Sequence, residues 1–595
     1  MYVTCILLAL VIAVATDNSL PPPCDSYIYC YGRLLHVVQM NEIFNDSKHF
    51  VDLKMKMPPN ETMEIFNNFM EENDQNPNRT EVKNFVEKMF EPRGSEFEPW
   101  DPKDWTSHPK FLDKILDSDF KKWASDLNSF WKILGKKMKD EVKQHEELFS
   151  IIYVPHPVIV PGGRFLEFYY WDSYWIIRGL LLSEMNLTVK GMLENFLHMV
   201  KTYGFVPNGG RVYYARRSQP PLLIPMVKSY LNKTNDVQFI RDNIELLEKE
   251  FLFWMTNHTI TIDKDGVKYK LARYYAPSSG PRPESYREDY TLAEHLKPEE
   301  REYLYLQLKT AAETGWDFST RWYIHNGTNR GNLTDTNPQY IVPVDLNAIL
   351  CWNARLLSEF YSLLGNSSKS ATYRKLADQW LEAVTQILWH EEIGVWLDYD
   401  MLNSVQRNYF YPSNLSPLWT GCYNKSKFSS QRLMKYLENV NIMMNLGGIP
   451  TSYQHSMEQW DYPNAWPPLQ YIVIMALDNT GDPWTQDLAF ELAQRWVRSN
   501  YKGYNDTNPH SMFEKYDATI PGQYGKGGEY ENQIGFGWTN GVILEFLDKY
   551  GSQLTLSLCL VHSLNDEVIV NFRNCVKILT NSRRLEYEKQ LELIG

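Results

Sequence analysis

Cysteine and histidine are scarce in this chain of 595 residues. Its seven cysteines and 13 histidines do not cluster, and the sequence contains no Cys-X-X-Cys or His-Glu-X-X-His pattern. Because these spacings mark many structural and catalytic zinc sites, we expect no metal. The cysteines are also too few for a fold held together by disulfides, although Cys24 and Cys30 could close a short loop.

Positive charge is limited as well. The chain has 60 Lys and Arg residues against 73 Asp and Glu residues, which gives a net charge of −13 and an isoelectric point near 5.6. Residues 132–143 are locally basic, but their pattern is typical of a solvated helix face. The acidic balance argues against a nucleic-acid partner.

Long apolar runs are absent from the body of the chain. Residues 554–562 are apolar, but this stretch is too short to cross a bilayer. A charged tail follows it, so it does not have the form of a terminal lipid-anchor signal either. We therefore expect no membrane span.

The N-terminus has the features of a secretory signal peptide, which we place at residues 1–16. Ile6 to Val14 form an apolar stretch that ends in small residues suited to cleavage, although a basic start is missing. About twelve Asn-X-Ser/Thr triplets follow, well above the number that the composition predicts. Examples are Asn45, Asn60, Asn326 and Asn505. The signal and the triplets together predict a secreted protein that carries N-linked glycans.

A helical rhythm dominates from about residue 100 to residue 550. In residues 236–254, apolar side chains such as Phe239, Ile244, Leu247 and Phe251 recur in steps of three and four. Alternation typical of strands is confined to short pieces such as residues 266–277. Many helices joined by loops rich in Gly, Pro and Trp are consistent with a toroid of helical hairpins.

Four stretches place Trp or Tyr beside acids in a way that helix packing does not require. They are PGGRFLEFYYWDSYW (161–175), GWDFSTRW (315–322), QWDYPNAWPP (459–468) and GGEYENQIGFGWTNG (527–541). Flat rings beside carboxylates and guanidinium groups suit a sugar, because rings cover its C–H faces while charged groups bridge its hydroxyls. The recurrence predicts loops gathered around one polar, ring-lined pocket.

Two of these stretches, PGGRFLEFYYWDSYW and QWDYPNAWPP, resemble the two signatures of trehalases, glycoside hydrolases that split α,α-trehalose into two glucoses. Further matching motifs occur in the family's order, and the resemblance covers roughly residues 30–550. These motifs are PNGGRVYYARRSQPP (207–221), PRPES (281–285), GWDFSTRW, PVDLNAIL (343–350), EKYD (514–517) and GGEY (527–530). The resemblance implies an all-α (α/α)6 toroid, with long loops that form a pocket at one end. We expect an N-terminal lead-in at residues 17–100 that packs on the barrel, a catalytic domain at 101–550, and a divergent tail at 551–595.

Two carboxyl groups are candidates for the chemistry. Rings flank Asp317 and could keep it protonated as a general acid, although an aspartate here could also cap a helix. The resemblance makes Asp317 the proton donor and Glu514 the general base, and nearly all the support for Glu514 comes from the family match. Glu529 competes for the base role on local grounds, since neighbouring glycines allow close approach to a ligand, but the family places it in substrate binding.

The remaining site residues follow from the same resemblance. An arginine fork can bridge neighbouring hydroxyls and can keep a nearby base ionised. The predicted binding residues are Arg164, Trp171, Asp172, Asn208, Arg217, Ser218, Gln219, Arg282, Glu284, the backbone of Gly315, and Glu529. Gln459 to Asp461 and Trp466 are expected at the pocket rim.

The expected function is hydrolysis of trehalose with inversion at the anomeric carbon, with trehalose and water as substrates and with no cofactor. Two alternatives stay open at this stage. One is another (α/α)6 α-glucosidase that acts on maltose or a glucan. The other is a secreted sugar-binding protein without catalysis, which the presence of both Asp317 and Glu514 disfavours.

Overall fold

Helices dominate the structure, a computed structural model that describes residues 20–556. The predicted signal peptide (1–16) and nearly all of the predicted tail (551–595) lie outside the described residues. Residues 20–554 belong to one compact unit. Within residues 20–556, no helix is both long enough and apolar enough to cross a membrane.

The lead-in contains four short helices that share one core with the barrel. They are α1 (Arg33–Met40), α2 (Lys48–Val51), α3 (Pro59–Glu72) and α4 (Arg79–Met89). Leu34, Phe50 and Phe66 are fully buried in this core, and Tyr169 and Tyr213 from the barrel side belong to the same cluster. The lead-in is therefore packed against the segments that precede the inner helices.

Fifteen more helices follow in the described part of the chain. They are α5 (Ser118–Leu134), α6 (Asp140–Gln144), α7 (Asp172–Leu182), α8 (Asn186–Tyr203), α9 (Leu223–Thr234), α10 (Val237–Asn257), α11 (Tyr286–Ala293), α12 (Pro298–Glu313), α13 (Val344–Leu363), α14 (Ser367–Ile387), α15 (Ser416–Thr420), α16 (Ser430–Asn439), α17 (Pro467–Asn479), α18 (Pro483–Asp506) and α19 (Gly537–Tyr550).

Six of these helices form a closed inner ring. Contacts run from α7 to α9, α13, α15, α17 and α19 in turn, and α19 contacts α7 again. Helices α8, α10, α14, α18 and α5 pack outside the ring against one or two inner helices each. The inner helix α17 is buried almost all round, whereas the outer helix α10 buries one stripe, as this arrangement requires. This confirms the predicted (α/α)6 toroid.

The ring closes where α19 crosses α7 at close range. A Cβ atom on Gly541 would lie 2.1 Å from the carbonyl oxygen of Trp175, so a side chain there would force the two helices apart. Gly179 of α7 lies opposite, and its own Cβ would lie 2.8 Å from the Cα atom of Gly541. The two glycines allow this contact between backbones.

Short antiparallel strands brace the loops. They are β1 (Lys54–Met55) with β2 (Phe90–Glu91); β4 (Gly135–Met138) between β3 (Phe97–Glu98) and β5 (Val158–Ile159); β6 (Thr259–Lys264) with β7 (Val267–Ala272); β11 (Tyr399–Asp400) between β8 (Ile341–Val342) and β12 (Val405–Gln406); β9 (Trp389–His390) with β10 (Val395–Trp396); and β13 (Asn464–Ala465) with β14 (Tyr516–Asp517). The predicted strand signal at 266–277 corresponds to β7.

The basic segment 132–143 is not one helix face, because α5 ends at Leu134 and β4 and α6 follow. In β4, Gly135 pairs with Ile159 of β5, so sheet pairing replaces the helix there.

Two disulfides are present in the described chain. Cys24 and Cys30 close the short loop that their spacing suggested, with Cα atoms 5.6 Å apart. Cys351 and Cys422 link α13 to the segment after α15, with Cα atoms 6.1 Å apart and a sequence separation of 71. The second bond therefore ties α13 to the segment that follows its ring neighbour α15.

Candidate active site

A cavity of about 640 Å³, including its mouth, lies at the N-terminal ends of several inner helices. All the predicted catalytic and binding residues line it except Ser218. The other lining residues are Phe165, Tyr169, Tyr214, Ser285, Ala312, Trp460, Trp466, Tyr530, Phe536 and Trp538. All four aromatic and acidic stretches of the sequence thus contribute to one site.

Asp317 presents its carboxyl group to this cavity. No side chain of the described residues donates a hydrogen bond to that carboxyl group, whereas its backbone oxygen accepts a hydrogen bond from Gln459 Nε2 at 2.6 Å. Burial raises the pKa of Asp317 to about 7, and the positive charge of Arg282 offsets only part of that rise. Asp317 can therefore keep its proton close to neutral pH, as a general acid must.

Asp461 fixes the loop that carries Asp317. Its buried carboxylate accepts hydrogen bonds from Ser319 Oγ at 3.0 Å and from the backbone N–H of Thr320 at 2.8 Å. Ser452 Oγ and Ser456 Oγ each donate to it at 2.6 Å. The carboxylate thus joins the two loops that flank the cavity, and Asp461 lies behind the cavity wall rather than at the expected rim.

Glu514 is almost fully buried and has two hydrogen-bond donors. Tyr530 donates its hydroxyl to Oε1 at 2.9 Å, and the backbone N–H of Gln533 lies 3.4 Å from Oε2. Burial raises the pKa of Glu514, while the Lys515 ammonium and the two donors oppose this rise. Glu514 therefore has a side-chain donor and a neighbouring ammonium group that favour its ionised form, whereas no side chain of the described residues donates to Asp317. Such a difference in environment is what distinguishes a general base from a general acid.

Replacing Tyr530 with phenylalanine is expected to move the acid limb of the pH profile of kcat/KM to higher pH. The hydroxyl stabilises ionised Glu514, so its loss raises the pKa of Glu514 and the base becomes protonated at a higher pH. Glucose release measured from pH 4 to 8 checks this expectation. The control is Tyr524→Phe, which changes an exposed tyrosine of the same loop. If the acid limb lies at the same pH in both variants, the hydrogen bond from Tyr530 does not have the proposed role.

Arg217 and its partners form one wall of the cavity. Its guanidinium group donates to Glu284 Oε1 at 2.5 Å and to Asn208 Oδ1 at 3.0 Å, and it lies over the ring of Tyr214 at 4.9 Å. All three polar residues were predicted, and the structure places them in direct contact. The wall therefore presents a charge-paired array that can bond several hydroxyl groups.

Arg282 connects two loops across the cavity. It bonds Asp289 through several atoms, the shortest at 2.6 Å, and it reaches Glu529 Oε1 at 2.6 Å. Ser285 Oγ donates to the other oxygen of Glu529 at 3.0 Å. Glu529 is thus fixed by an arginine and a hydroxyl, while Glu514 is the carboxylate that accepts a hydrogen bond from a tyrosine.

The floor contains Asp172 at the start of α7, and burial raises the pKa of this carboxyl well above its usual range. The preceding residue, Trp171, donates its backbone N–H to Gln219 Oε1 at 3.1 Å. Gly315 has a φ of +78°, and a Cβ there would lie 2.8 Å from the Trp171 ring. A glycine is required at this position for both reasons.

Ser218 does not line the cavity. Its hydroxyl donates to the backbone oxygen of Val206 at 2.7 Å, and its backbone N–H donates to Glu313 Oε1 at 3.0 Å. The serine is fully buried. It fixes the loop between its neighbours Arg217 and Gln219, whose side chains do reach the cavity.

Stacked tryptophans complete the wall. The rings of Trp460 and Trp466 are parallel, with centroids 3.8 Å apart, and Trp316 stacks on Trp460 at 5.4 Å. Trp538 meets Trp466 edge-on at 5.7 Å. Trp460 and Trp466 line the cavity as expected for the rim, whereas Gln459 and Asp461 of the same stretch are buried behind them.

Several residues of the site were missed at the level of sequence. Tyr530, Asp289 and Lys515 were not singled out, because the local sequence does not show which side chain each one bonds. Lys515 resembles a solvated charge beside Glu514, yet it is fully buried and bonds Gln459 Oε1 at 2.7 Å. Within residues 20–556, no group of three His, Cys, Asp or Glu side chains is arranged to hold a metal ion.

The toroid and a ring-lined cavity with two carboxyl groups in different environments define the class of glycoside hydrolases. Comparison with known proteins narrows this class. The family model described as trehalase matches residues 42–551. A trehalase from Apis mellifera is 59% identical over 93% of this chain and 88% of its own length. A trehalase from Homo sapiens is 50% identical over 93% of this chain and 94% of its own length.

A solved structure agrees with the fold. Neutral trehalase Nth1 from Saccharomyces cerevisiae superposes with a TM-score of 0.55 at 23% identity, over 69% of this chain and 81% of that chain. The chain belongs to the trehalase family.

Proposed function

We propose that this protein hydrolyses α,α-trehalose to two glucose molecules by general acid and general base catalysis with inversion. The observation that carries the proposal is the cavity that holds Asp317 and Glu514 between paired arginines and stacked tryptophans. Membership of the trehalase family, with relatives of that name at 50% and 59% identity, supports trehalose as the substrate.

In the proposed reaction, Asp317 gives its proton to the glycosidic oxygen as the bond to the anomeric carbon breaks. Its raised pKa, about 7, keeps this proton available. Glu514 takes a proton from a water molecule, which attacks the anomeric carbon from the opposite face. The transition state resembles an oxocarbenium ion, and the fixed carboxylates of the cavity favour its positive charge.

The other residues hold the two sugar rings. The charge-paired guanidinium groups of Arg217 and Arg282 have fixed orientations, so they can bond hydroxyls with little loss of conformational entropy on binding. Trp460 and Trp466 line the cavity, and their stacked rings give this side of the site an apolar surface beside the sugars. Asp172 lies near both Asp317 and Glu514 and is suited to bond hydroxyls next to the reacting carbon.

The stereochemistry of the products tests the proposal. Inversion releases β-glucose from the attacked ring and leaves the other glucose as the α-anomer, so NMR of the first products should show both anomers in equal amounts. Release of the α-anomer alone would indicate retention and would contradict the assigned base. Maltose in a parallel reaction separates a trehalase from an α-glucosidase of broader specificity.

We also propose that the protein is secreted and glycosylated. The triplet asparagines Asn45, Asn60, Asn326 and Asn505 are exposed, which supports their use as acceptors. Asn414 also begins a triplet, but it is buried and bonds the Tyr436 hydroxyl. Mass spectrometry of glycopeptides should find glycans at exposed triplets and none at Asn414.

The proposed division of the chain has four parts: a signal peptide at 1–16, a lead-in at 17–100, a catalytic domain at 101–550 and a tail at 551–595.

A further inference from the structure

Three consecutive residues of the lead-in bond Arg164, which lines the cavity, and two carboxylates, Glu167 and Glu288, that belong to segments contributing to the cavity wall. Asp46 pairs with Arg164, Ser47 Oγ donates to Glu288 Oε2 at 2.6 Å, and Lys48 Nζ lies 2.8 Å from Glu167 Oε1. These contacts join segments that are far apart in the chain. The lead-in therefore contacts the cavity wall through specific polar bonds as well as through apolar packing.

The first of these contacts involves a residue that lines the cavity. Arg164 donates from Nε to Asp46 Oδ2 at 2.8 Å and from Nη2 to Asp46 Oδ1 at 2.6 Å. A two-point contact of this kind fixes the plane and the direction of a guanidinium group. The ionic attraction of Arg164 also holds the pKa of Asp46 below its usual range, although burial acts in the opposite direction.

Other contacts hold Arg164 in place but do not orient it. Its guanidinium group lies over the rings of Tyr530 at 4.4 Å and Phe165 at 5.2 Å, and its backbone N–H donates to Gln533 Oε1 at 2.8 Å. Stacking on a ring permits rotation within the plane of the guanidinium group. Asp46 supplies the directional bonds that limit this rotation.

The charge of Arg164 also acts on the base. The charged and titratable groups around Glu514 are the cation Lys515, the cation Arg164, the hydroxyl of Tyr530, and the carboxyl groups of Asp172 and Asp317. Arg164 lowers the pKa of Glu514, and Asp46 partly neutralises Arg164. The lead-in thus contributes a charge that bears on Glu514 through one intermediate residue.

We propose that Asp46 is a positioning residue for the hydrolysis: it orients Arg164 toward the sugar and limits the positive charge that Arg164 exerts on Glu514. This inference rests on the proposed function. It makes the lead-in a part of the active site, although Asp46 itself does not line the cavity.

The test compares Asp46→Asn with Asp46→Glu in the full-length protein. We expect Asp46→Asn to lower kcat/KM for trehalose by about 10- to 100-fold, because an arginine that rotates no longer meets its hydroxyl. The acid limb of kcat/KM should move to lower pH by about 0.3–1 unit, because the uncompensated guanidinium group favours ionised Glu514. Asp46→Glu keeps the charge, so it should leave the acid limb at the wild-type pH and recover part of kcat/KM.

Glu91→Gln is the matched control. It removes one carboxylate from a contact with Lys54 in the same lead-in, 3.3 Å long and remote from the cavity, and it should change neither quantity. Thermal unfolding midpoints show whether each variant is folded.

The pH profile of Asp46→Asn decides the proposal. If its acid limb stays at the wild-type pH or moves to higher pH, the proposal is overturned even if kcat/KM falls, because Asp46 would then act through the fold alone. If Asp46→Asn does not fold, Asp46→Glu is the deciding variant, because it should recover only part of kcat/KM. A kcat/KM of Asp46→Glu that equals the kcat/KM of Glu91→Gln would then overturn the proposal. Failure of the proposed function is distinct, since the wild-type protein would then release no glucose from trehalose.

Discussion

Replacing Asp317 with asparagine is expected to lower kcat for trehalose by about 10²- to 10⁴-fold, the usual contribution of a general acid. Asparagine has a similar shape but no proton to give, so the leaving glucose must depart as an alkoxide. The loop should keep its conformation, because Asp461 and Gln459 bond its backbone and its neighbouring hydroxyls rather than the carboxyl group of Asp317. Steady-state glucose release from trehalose measures the effect.

A substrate with a good leaving group shows whether this loss reflects the acid. Fluoride departs without protonation, so α-glucosyl fluoride should be hydrolysed by Asp317→Asn at a rate much closer to that of the wild-type protein. Asp335→Asn, on a partly exposed turn after the Asp317 loop, provides a control for expression and folding. Equal losses on trehalose and on the fluoride would show that Asp317 acts in some other way.

Replacing Glu514 with glutamine is expected to lower kcat by a similar factor, about 10²- to 10⁴-fold, on both substrates. The attacking water must lose a proton whatever the leaving group is, so the fluoride cannot compensate for the missing base. Glutamine can still accept a hydrogen bond from Tyr530, and the pocket should keep its shape.

The two substrates together therefore distinguish the roles of the two carboxyl groups. Glu531→Gln, two residues from the Glu514 contact at Gln533, is the matched control and should be active on both substrates. Full turnover of trehalose by Glu514→Gln would contradict the assignment of Glu514 as the general base. In that case Glu529, the local alternative in the sequence, would be the next carboxylate to replace.

Local sequence features predicted which residues line the site better than they predicted the contacts between those residues. Contiguous rings beside an acid, as in residues 161–175, have no explanation in helix packing, so they indicated a pocket correctly. The toroid followed from helical periodicity together with the family motifs. Glu514 had almost no local signal, because its neighbours Lys515 and Tyr516 do not reveal that the segment is buried.

The ion pairs of the site could not be predicted in the same way. Arg164 and Asp46 are 118 residues apart, and Arg282 and Glu529 are 247 residues apart. Which carboxylate meets which guanidinium group depends on how the loops meet at the end of the ring, and a single sequence does not specify this. Ser218 shows the opposite error, since its position in a matched motif suggested sugar binding while its side chain faces a backbone oxygen.

The closure of the inner ring has a consequence for biosynthesis. The first inner helix, α7, has to wait for the last, α19, before its exposed side is covered. Folding therefore depends on a contact between the two ends of the barrel sequence, which is slow to form and cannot occur until synthesis is nearly complete. A ribosome-bound fragment that stops before Gly537 should stay sensitive to proteases and inactive toward substrate. A nonsense mutation just before the codon for Gly537 should therefore be as damaging as one much earlier in the gene.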